Sequence, residues 1–397
     1  MARPSKRSLG LAHSMHRIIA EKASEMRARG AKLIDFSIGQ PGLPPHEGAL
    51  KDFVELIREN PFELYRYPPS QGLLALREAL SADLRKYGGV DVDPSNIVIT
   101  TGGLEALVAI LYATTDEGDT VLLPEPCYSM YFEALGMLGA RAETCPQRLE
   151  HGFQPDVECL KAKAPRARAI MLASPDNPTS RVISEDIAKA IADLSEDHDL
   201  WVVYDVAYKH VTYEAKHVWL EKVASDPSRI IVVGSFSKDI AIPGGRLGYA
   251  YAFDREIVEH VVKVRSVISI GAPTPSQWLA YIALTKYKDE YLRHALEVYR
   301  KRRDVAYDFL TRLLPEARVM KPTAGIYLFP DLSPYLRRKG LDDVGFALEL
   351  IEKAGVVVLP GSAFGPSGKG HVRITFATNN EDDIREGLRR MAEFLLS

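Results

Sequence analysis

Short apolar runs alternate with helix-like stretches through the middle of the chain, and this alternation limits the fold more than any other feature. The runs are "NIVIT" (96–100), "TVLLP" (120–124), "AIMLA" (169–173), "WVVYD" (201–205), "IIVVG" (230–234) and "YAYAF" (249–253). Between them, helical periodicity appears at 104–113 and 185–199. Short buried strands that alternate with helices predict an α/β domain with a mostly parallel sheet covered on both faces.

The two ends of the chain have a different rhythm. The first thirty residues show helical spacing from Leu11 to Met26, which predicts one N-terminal helix. From Lys288 onwards, a long charged helical stretch leads into strand-like pieces mixed with helices, which predicts a smaller α+β domain. We therefore expect an N-terminal segment (1–45) that packs with the small domain (288–397), and a large domain at 46–287.

Composition excludes several classes of protein. The formal net charge is −3, from 50 basic and 53 acidic residues, so a nucleic-acid partner is not expected. No apolar segment approaches the ~18 residues of a membrane span. Cys127, Cys145 and Cys159 have no metal-ligand spacing, which predicts no metal site. Their low, odd number predicts no disulfide framework and a cytoplasmic location.

Polar residues follow the predicted strands at their carboxyl ends, where open α/β sheets bind ligands. After "IIVVG" come Ser235, Ser237 and Lys238, and then Arg246 behind two glycines. A desolvated lysine with a lowered pKa is the usual nucleophile towards a carbonyl compound. Arginine and serine hydroxyls suit a phosphate. A lysine for an aldehyde beside a phosphate site predicts pyridoxal 5′-phosphate (PLP) as the cofactor.

Other strand ends suit the same cofactor. The amides of Gly102, Gly103 and Leu104 open a helix and could hold the phosphate. Asp205 ends an apolar strand, so its carboxylate should face a cation such as a protonated pyridine nitrogen.

Three further side chains complete this cofactor site. Asn177 and Tyr208 offer donors for a phenolic oxygen of the cofactor, and Tyr128 offers a flat face for stacking. Each of them alone could equally be a turn or core residue. Their coincidence at consecutive strand ends favours one site.

The motifs resemble the class I/II aminotransferases of the fold-type I PLP family almost end to end. In the family's order, the chain contains "FSIGQPGLPP", "YRYPPSQGLLALREAL", "ITTGGLEAL", "LPEPCYSMY", "SPDNPTS", "YDVAY", "SFSKDIAIPGGRLGY", "AGIYLFPDL" and "LPGSAFGPSGKGHVRITFA". The resemblance implies a seven-stranded sheet in the large domain and a PLP-dependent aminotransferase. Such an enzyme moves an amino group from an L-amino acid to a 2-oxo acid, here 2-oxoglutarate, by a ping-pong mechanism.

The resemblance also assigns roles to single residues. Lys238 matches the Schiff-base lysine that shuttles a proton at the substrate α-carbon, with Asp205 and Tyr208 as its catalytic partners. The phosphate site matches Ser235, Ser237, Arg246 and the amides around Gly103. The ring contacts match Asp205, Asn177, Tyr208 and Tyr128.

The remaining roles concern the substrate and a second subunit. Arg373, with Asn177 and the backbone of Gly39, matches the site for the substrate α-carboxylate. Tyr67 matches a tyrosine that reaches the phosphate of the neighbouring subunit, which implies a homodimer with shared active sites.

Some residues depart from the family pattern. Leu104 stands where some dicarboxylate-specific members have a lysine, so a dedicated aspartate enzyme would need another cation, such as Arg17 or Arg265. Ser180 replaces a common glycine outside the chemistry. The cofactor motifs alone also suit a PLP-dependent lyase or decarboxylase. A non-enzymatic PLP-binding regulator is a further alternative, which the ten residues before Leu11 disfavour.

Overall fold

The computed structural model describes residues 3–11 and 14–397. The strands are β1 (Ile34–Asp35), β2 (Ile97–Thr100), β3 (Thr120–Glu125), β4 (Arg141–Pro146), β5 (Ala169–Ala173), β6 (Trp201–Asp205), β7 (Ile230–Ser235), β8 (Gly248–Ala252), β9 (Tyr327–Leu328), β10 (Val356–Val357), β11 (Leu359–Pro360) and β12 (Val372–Thr375).

Helices separate most of these strands. They are α1 (Lys6–Gly10), α2 (Met15–Ala28), α3 (Glu47–Glu59), α4 (Pro61–Leu64), α5 (Leu74–Gly88), α6 (Gly103–Thr114), α7 (Met130–Leu138), α8 (Val157–Lys163), α9 (Glu185–His198), α10 (Leu220–Val223), α11 (Phe236–Asp239), α12 (Arg255–Ser269), α13 (Thr274–Ile282), α14 (Lys288–Leu313), α15 (Ser333–Lys339), α16 (Asp343–Ala354) and α17 (Glu381–Leu396). A π-helical turn at 283–287 joins α13 to α14.

The large sheet has seven strands in the order β2-β8-β7-β6-β5-β3-β4. Strand β8 runs antiparallel to both of its neighbours, and the remaining pairs are parallel. Side chains alternate between the two faces, so Val202 and Tyr204 of β6 join one apolar core while Val203 joins the other. The predicted α/β fold with a mostly parallel, helix-covered sheet is confirmed, and all six predicted runs form strands.

Strand β4 has no counterpart among the predicted runs. It lies at the edge of the sheet and pairs only with β3. Its sequence, "RAETCP", is mostly polar. This fits its position at the edge, where Arg141 and Ala142 are exposed and only Cys145 is fully buried. An edge strand of this kind carries no apolar run for the sequence to reveal.

The N-terminal segment packs with the C-terminal part of the chain. Strand β1 pairs in parallel with β10, and Ile19 of α2 shares an apolar core with Leu350 of α16 and Leu388 of α17. The strands β11, β12 and β9 form a separate antiparallel sheet. The division of the chain at 45 and 287 stays a prediction.

The prediction of a single N-terminal helix is wrong, because this part of the chain forms two helices, α1 and α2. Helix α1 ends at Gly10, and Leu11 has an extended backbone conformation before α2 begins at Met15. Positions 12 and 13 of the predicted helix lie outside the described residues. Leu11, whose apolar spacing suggested a continuous helix, is exposed and packs in neither core of the large sheet.

The cysteine prediction is also wrong for one pair. Cys145 near the end of β4 and Cys159 in α8 form a disulfide, with their Cα atoms 5.8 Å apart. The third cysteine, Cys127, is buried with a free thiol. An odd number of cysteines says nothing about whether two of them meet in space, and β4, which brings Cys145 to α8, was itself not predicted.

Replacing Cys145 and Cys159 together by alanine should lower the free energy of unfolding by about 2–4 kcal/mol, because the disulfide reduces the conformational entropy of the unfolded chain. Chemical denaturation under non-reducing conditions measures this. Reduced wild-type protein is the control and should match the variant. Equal stability of the oxidised wild type and the variant would contradict the structural role of the bond.

Candidate active site

One cavity of about 280 Å³ lies at the carboxyl ends of β5, β6 and β7, against the start of α6. Parallel strands end at the same edge of the sheet, so residues far apart in sequence meet there. The cavity is lined by His16, Gly39, Gly103, Leu104, Leu107, Tyr128, Tyr131, Ala173, Asn177, Asp205, Ala207, Tyr208, Val233, Gly234, Ser235, Ser237, Lys238, Arg246, Tyr327 and Arg373. Of the residues predicted for the site, only Gly102 and Tyr67 do not line it.

Gly102 shapes the turn from β2 into α6. Its φ is +85°, a conformation that favours glycine, and an added Cβ would lie 2.5 Å from Nη2 of Arg246. The glycine therefore lets the guanidinium approach the first turn of a twelve-residue helix. Because that helix end has free backbone N–H groups and a positive dipole, an anion is favoured beside Arg246.

Ser235 and Ser237 line the same part of the cavity, and a Cβ added to Gly103 would lie 3.8 Å from Cβ of Ser235. Ser235 caps α11 by accepting a hydrogen bond from the amide of Ser237 at 3.2 Å. The two hydroxyls, the α6 amides and Arg246 together provide hydrogen-bond donors for a phosphate-sized group. These residues fit the phosphate of PLP.

Asp205 ends β6 with its carboxylate inside the cavity. The carboxylate accepts hydrogen bonds from the hydroxyl of Tyr131 at 2.9 Å and from the amide of Ala207 at 2.9 Å. Burial raises the pKa of Asp205 above its usual range, although both donors and the charge of Lys238 oppose this shift. A cation beside the carboxylate would offset this burial cost, so the site fits a protonated pyridine nitrogen.

Lys238 extends into the cavity from the short helix α11. Its ammonium donates a hydrogen bond to the carbonyl oxygen of Gly39 at 2.6 Å. Its Nζ also lies 5.5 Å from the centre of the Tyr208 ring. Burial, followed by the charges of Arg373 and Arg246, lowers the pKa of Lys238 to about 8, against the opposing charge of Asp205. The amine is therefore much easier to deprotonate than an exposed lysine.

Arg373 comes from β12, in the C-terminal part of the chain. Its guanidinium donates to Oδ1 of Asn177 at 2.9 Å and to the carbonyl oxygen of Ser37 at 2.5 Å. It also lies 4.4 Å from the centre of the Tyr327 ring. The side chain is 2% exposed, and its Nε has no hydrogen-bond partner among the described residues. A buried guanidinium with a free donor is suited to a carboxylate.

Three residues that shape the site, Tyr131, Tyr327 and His16, were not predicted for it. Tyr131 holds Asp205, and the hydroxyl of Tyr327 lies 2.6 Å from that of Tyr208. His16 of α2 lies 3.4 Å from the hydroxyl of Ser129, and burial followed by the charge of Arg373 lowers its pKa to about 4. Tyr131 could have been found, because it lies three residues after Tyr128 at the start of a helix. His16 stands in an amphipathic helix without any motif.

The other suggested residues lie elsewhere. Tyr67 is 85% exposed and lies outside the cavity of its own chain. Arg265 is fully buried, and its guanidinium bonds to Ser269 and to the carbonyl oxygens of Ser70 and Ile270. Arg17 forms an exposed ion pair with Glu21. Neither arginine lines the cavity of its own chain as a further cation.

The sequence matches one enzyme family over most of its length. The family model for aminotransferase class I and II matches residues 31–391. The chain belongs to the class I and II aminotransferase family. It is an aminotransferase, and enzymes of this family use PLP and act on amino acids and 2-oxo acids.

Relatives of this aminotransferase match over nearly its whole length. A probable aspartate/prephenate aminotransferase of Aquifex aeolicus is 34% identical over 95% of this chain and 94% of its own. The aspartate/prephenate aminotransferase of Thermus thermophilus is 33% identical over 94% of each chain. The structure of an aspartate aminotransferase from Thermus thermophilus with maleate superposes with a TM-score of 0.91 at 31% identity, over 99% of this chain and 100% of that one. The predicted family and enzyme class are confirmed.

Neutralising Arg373 should raise the pKa of Lys238 in the cofactor-free aminotransferase, because a nearby positive charge disfavours the ammonium. In the wild type, the rate at which Lys238 reacts with an amine-specific reagent should rise with pH around a midpoint of about 8. In Arg373→Met the midpoint should move to higher pH. Peptide mass spectrometry measures labelling of Lys238 against pH.

Two matched variants test the cause. Arg246→Met removes the other arginine charge that acts on Lys238 and should also raise the midpoint. Arg17→Met removes an exposed arginine outside the cavity and should leave it unchanged. A midpoint that stays the same or falls in Arg373→Met would contradict the electrostatic explanation.

Proposed function

We propose that this cavity binds PLP and that the residues brought together there carry out transamination. The observation that supports this most strongly is the buried Lys238 between Asp205 and two arginines. The amides of Gly103 and Leu104, with Ser235, Ser237 and Arg246, would hold the phosphate at the start of α6. Gly102 would serve indirectly by making room for Arg246.

Asp205, Tyr128, Asn177 and Tyr208 would hold the ring. Asp205 would keep the pyridine nitrogen protonated, and Tyr131 would hold that carboxylate in place. Tyr128 would stack on the ring, while Asn177 and Tyr208 would donate to the phenolic oxygen. When bound, PLP supplies an electron sink for the electron pair that is released when the substrate α-hydrogen leaves as a proton.

Lys238 would bind the cofactor aldehyde and later move the proton at the substrate α-carbon. Two properties support this assignment. Its pKa of about 8 leaves a useful share of neutral amine near neutral pH. Within the described part of the chain its only hydrogen bond is to a backbone carbonyl, which leaves the amine able to turn towards another partner.

Arg373 would bind the α-carboxylate of the substrate through a two-pronged contact. Asn177 and Ser37 already hold the guanidinium in place, so little side-chain freedom remains to be lost on binding. Gly39 lies close to this position, because a Cβ added to Gly39 would clash with the hydroxyl of Tyr327, whose ring contacts Arg373.

We further propose that the enzyme works by a ping-pong mechanism with 2-oxoglutarate as the amino acceptor. The cationic side chains among the described residues that line the cavity are Lys238, Arg246 and Arg373. All three have a role in this scheme. The second carboxylate of 2-oxoglutarate would therefore meet neutral donors such as His16, or residues of a second copy of the chain.

A homodimer with shared active sites is part of the same proposal. Tyr67 is exposed together with large apolar side chains nearby in sequence, Phe62 and Tyr65, and with Val267 at the end of α12. A second copy of the chain could cover these side chains and receive Tyr67 at its phosphate site. The cytoplasmic location also stays a proposal, since one of its supports, the absence of disulfides, is wrong. Among the described helices, none has the length and apolar character needed to cross a membrane.

Replacing Lys238 by alanine should abolish turnover, because no other described lysine lines the cavity. The measurement is transfer of the amino group from a panel of amino acids to 2-oxoglutarate, together with the absorbance of bound cofactor. Lys189→Ala, at an exposed lysine paired with Asp193, is the control and should keep full activity.

Normal turnover in Lys238→Ala would contradict the role of Lys238 in binding the cofactor aldehyde and moving the α-proton. If the wild type releases a 2-oxo acid and ammonia without any acceptor, the enzyme catalyses an elimination and not a transamination. The donor that reacts fastest in the panel identifies the natural amino-acid class.

A further inference from the structure

An ion pair lies directly behind the cavity, one residue away from two of its central side chains. Lys209 follows Tyr208, and Asp239 follows Lys238. The ammonium of Lys209 donates to Oδ2 of Asp239, and the two side chains are 0% and 3% exposed. Neither residue lines the cavity. The pair therefore touches neither substrate nor cofactor, although its backbone is continuous with residues that would.

We propose that the Lys209–Asp239 ion pair is a positioning device, which fixes the segment that carries Tyr208 against the segment that carries Lys238. This inference rests on the proposed function, in which those two side chains act on the same bound cofactor. Lys209 and Asp239 are positioning residues in this scheme and not catalytic ones.

The backbone does not hold these two segments together. Strands β6 and β7 are paired up to Asp205 and Val233, and one further backbone hydrogen bond joins the amide of Val206 to Val233. Beyond it, no backbone hydrogen bond within the described residues joins 207–211 to 235–240. The Lys209–Asp239 contact is the polar side-chain link across this gap.

Consecutive residues in each segment point in opposite directions. Tyr208 and Lys238 line the cavity, while Lys209 and Asp239 meet behind it. A change in the separation of the ion pair would therefore move both active side chains together with their backbone. The charges that act on Lys238 come from Arg373, Arg246 and Asp205. The pair accordingly works through position.

A second buried ion pair, Lys288–Asp83, lies near the first. The ammonium of Lys288, at the start of α14, donates to both carboxylate oxygens of Asp83, at 2.5 and 2.6 Å, and lies 2.8 Å from Nε2 of His210. Burial, followed by the charges of Lys288 and Lys209, lowers the pKa of His210 to about 4, so its ring is neutral. Two cations thus face two carboxylates, and the cluster carries no net charge.

Stability alone is a poor reason for such a pair. Replacing a buried ion pair by apolar residues of similar size is often neutral or stabilising, whereas removing one partner is costly. The double replacement therefore separates position from stability. In Lys209→Met/Asp239→Leu both charges are gone and the interior remains filled.

The experiment compares this double variant with the wild-type enzyme loaded with PLP. We expect kcat to fall about 10- to 100-fold, the size of effect that a shift of about 1 Å at the reacting groups produces. KM should stay within about threefold, because Arg373 is untouched. The pH midpoint of the bound cofactor's absorbance change should move by at least about half a unit, because Lys238 and Tyr208 have shifted relative to the ring.

Two conservative variants keep the test decisive if the double variant folds poorly. Lys209→Arg keeps the charge and the hydrogen bond, and should retain kcat within about threefold. Asp239→Glu keeps both charges but lengthens one side chain by a methylene, and should lower kcat and move the absorbance midpoint. Wild-type values of kcat and of the absorbance midpoint in both the double variant and Asp239→Glu would overturn the proposal.

Asp83→Asn/Lys288→Met is the matched control. It removes the same number of buried charges from the same cluster but leaves the chain neighbours of Tyr208 and Lys238 intact. We expect an unchanged absorbance midpoint and kcat, whatever the change in Tm. An equal loss of kcat here would overturn the proposal, because any loss of buried charge would then suffice. Failure of the proposed function itself would appear separately, as a wild-type enzyme without transamination.

Discussion

The burial of Lys238 beside two arginines is the constraint on which the rest of the site depends. Three cations in one cavity repel each other and lose their hydration, and the charge of the Asp205 carboxylate favours the ammonium of Lys238. The unfavourable environment makes the amine reactive. It also requires anions to complete the site, and the phosphate of a cofactor and the carboxylate of a substrate have the right charge for Arg246 and Arg373.

The fold satisfies this constraint by joining distant parts of the chain. Parallel strands deliver Asp205 and Lys238 to one edge of the sheet, and β12 delivers Arg373 from the C-terminal part. The hydrogen bond between Arg373 and Asn177 spans 196 residues of sequence. Because α2 and β12 contribute apolar side chains to the same core, His16 and Arg373 reach the cavity from elements that pack together.

Prediction from the sequence succeeded for elements and site residues that have a recognisable local sequence pattern. Buried strands leave apolar runs, so β2, β3 and β5–β8 could be recognised, and small or polar residues at their ends marked the cavity. It failed where the decisive information is spatial. The polar edge strand β4, the Cys145–Cys159 bond and the contact of Tyr327 with Tyr208 depend on neighbours that the local pattern does not show. His16 is a further case, because nothing in α2 indicates which turn faces the cavity.

The hydrogen bond from Lys238 to Gly39 has a consequence for how the enzyme acquires its cofactor. The same amine that would react with the cofactor aldehyde also holds the segment after β1 at the mouth of the cavity. Whatever binds Lys238 must therefore displace that carbonyl, so loading and the position of the N-terminal segment are thermodynamically linked. By reciprocity, a change that strengthens this hydrogen bond in the free enzyme would weaken cofactor binding by the same free energy. The affinity of the enzyme for its cofactor would therefore depend on a part of the chain that lies outside the large sheet.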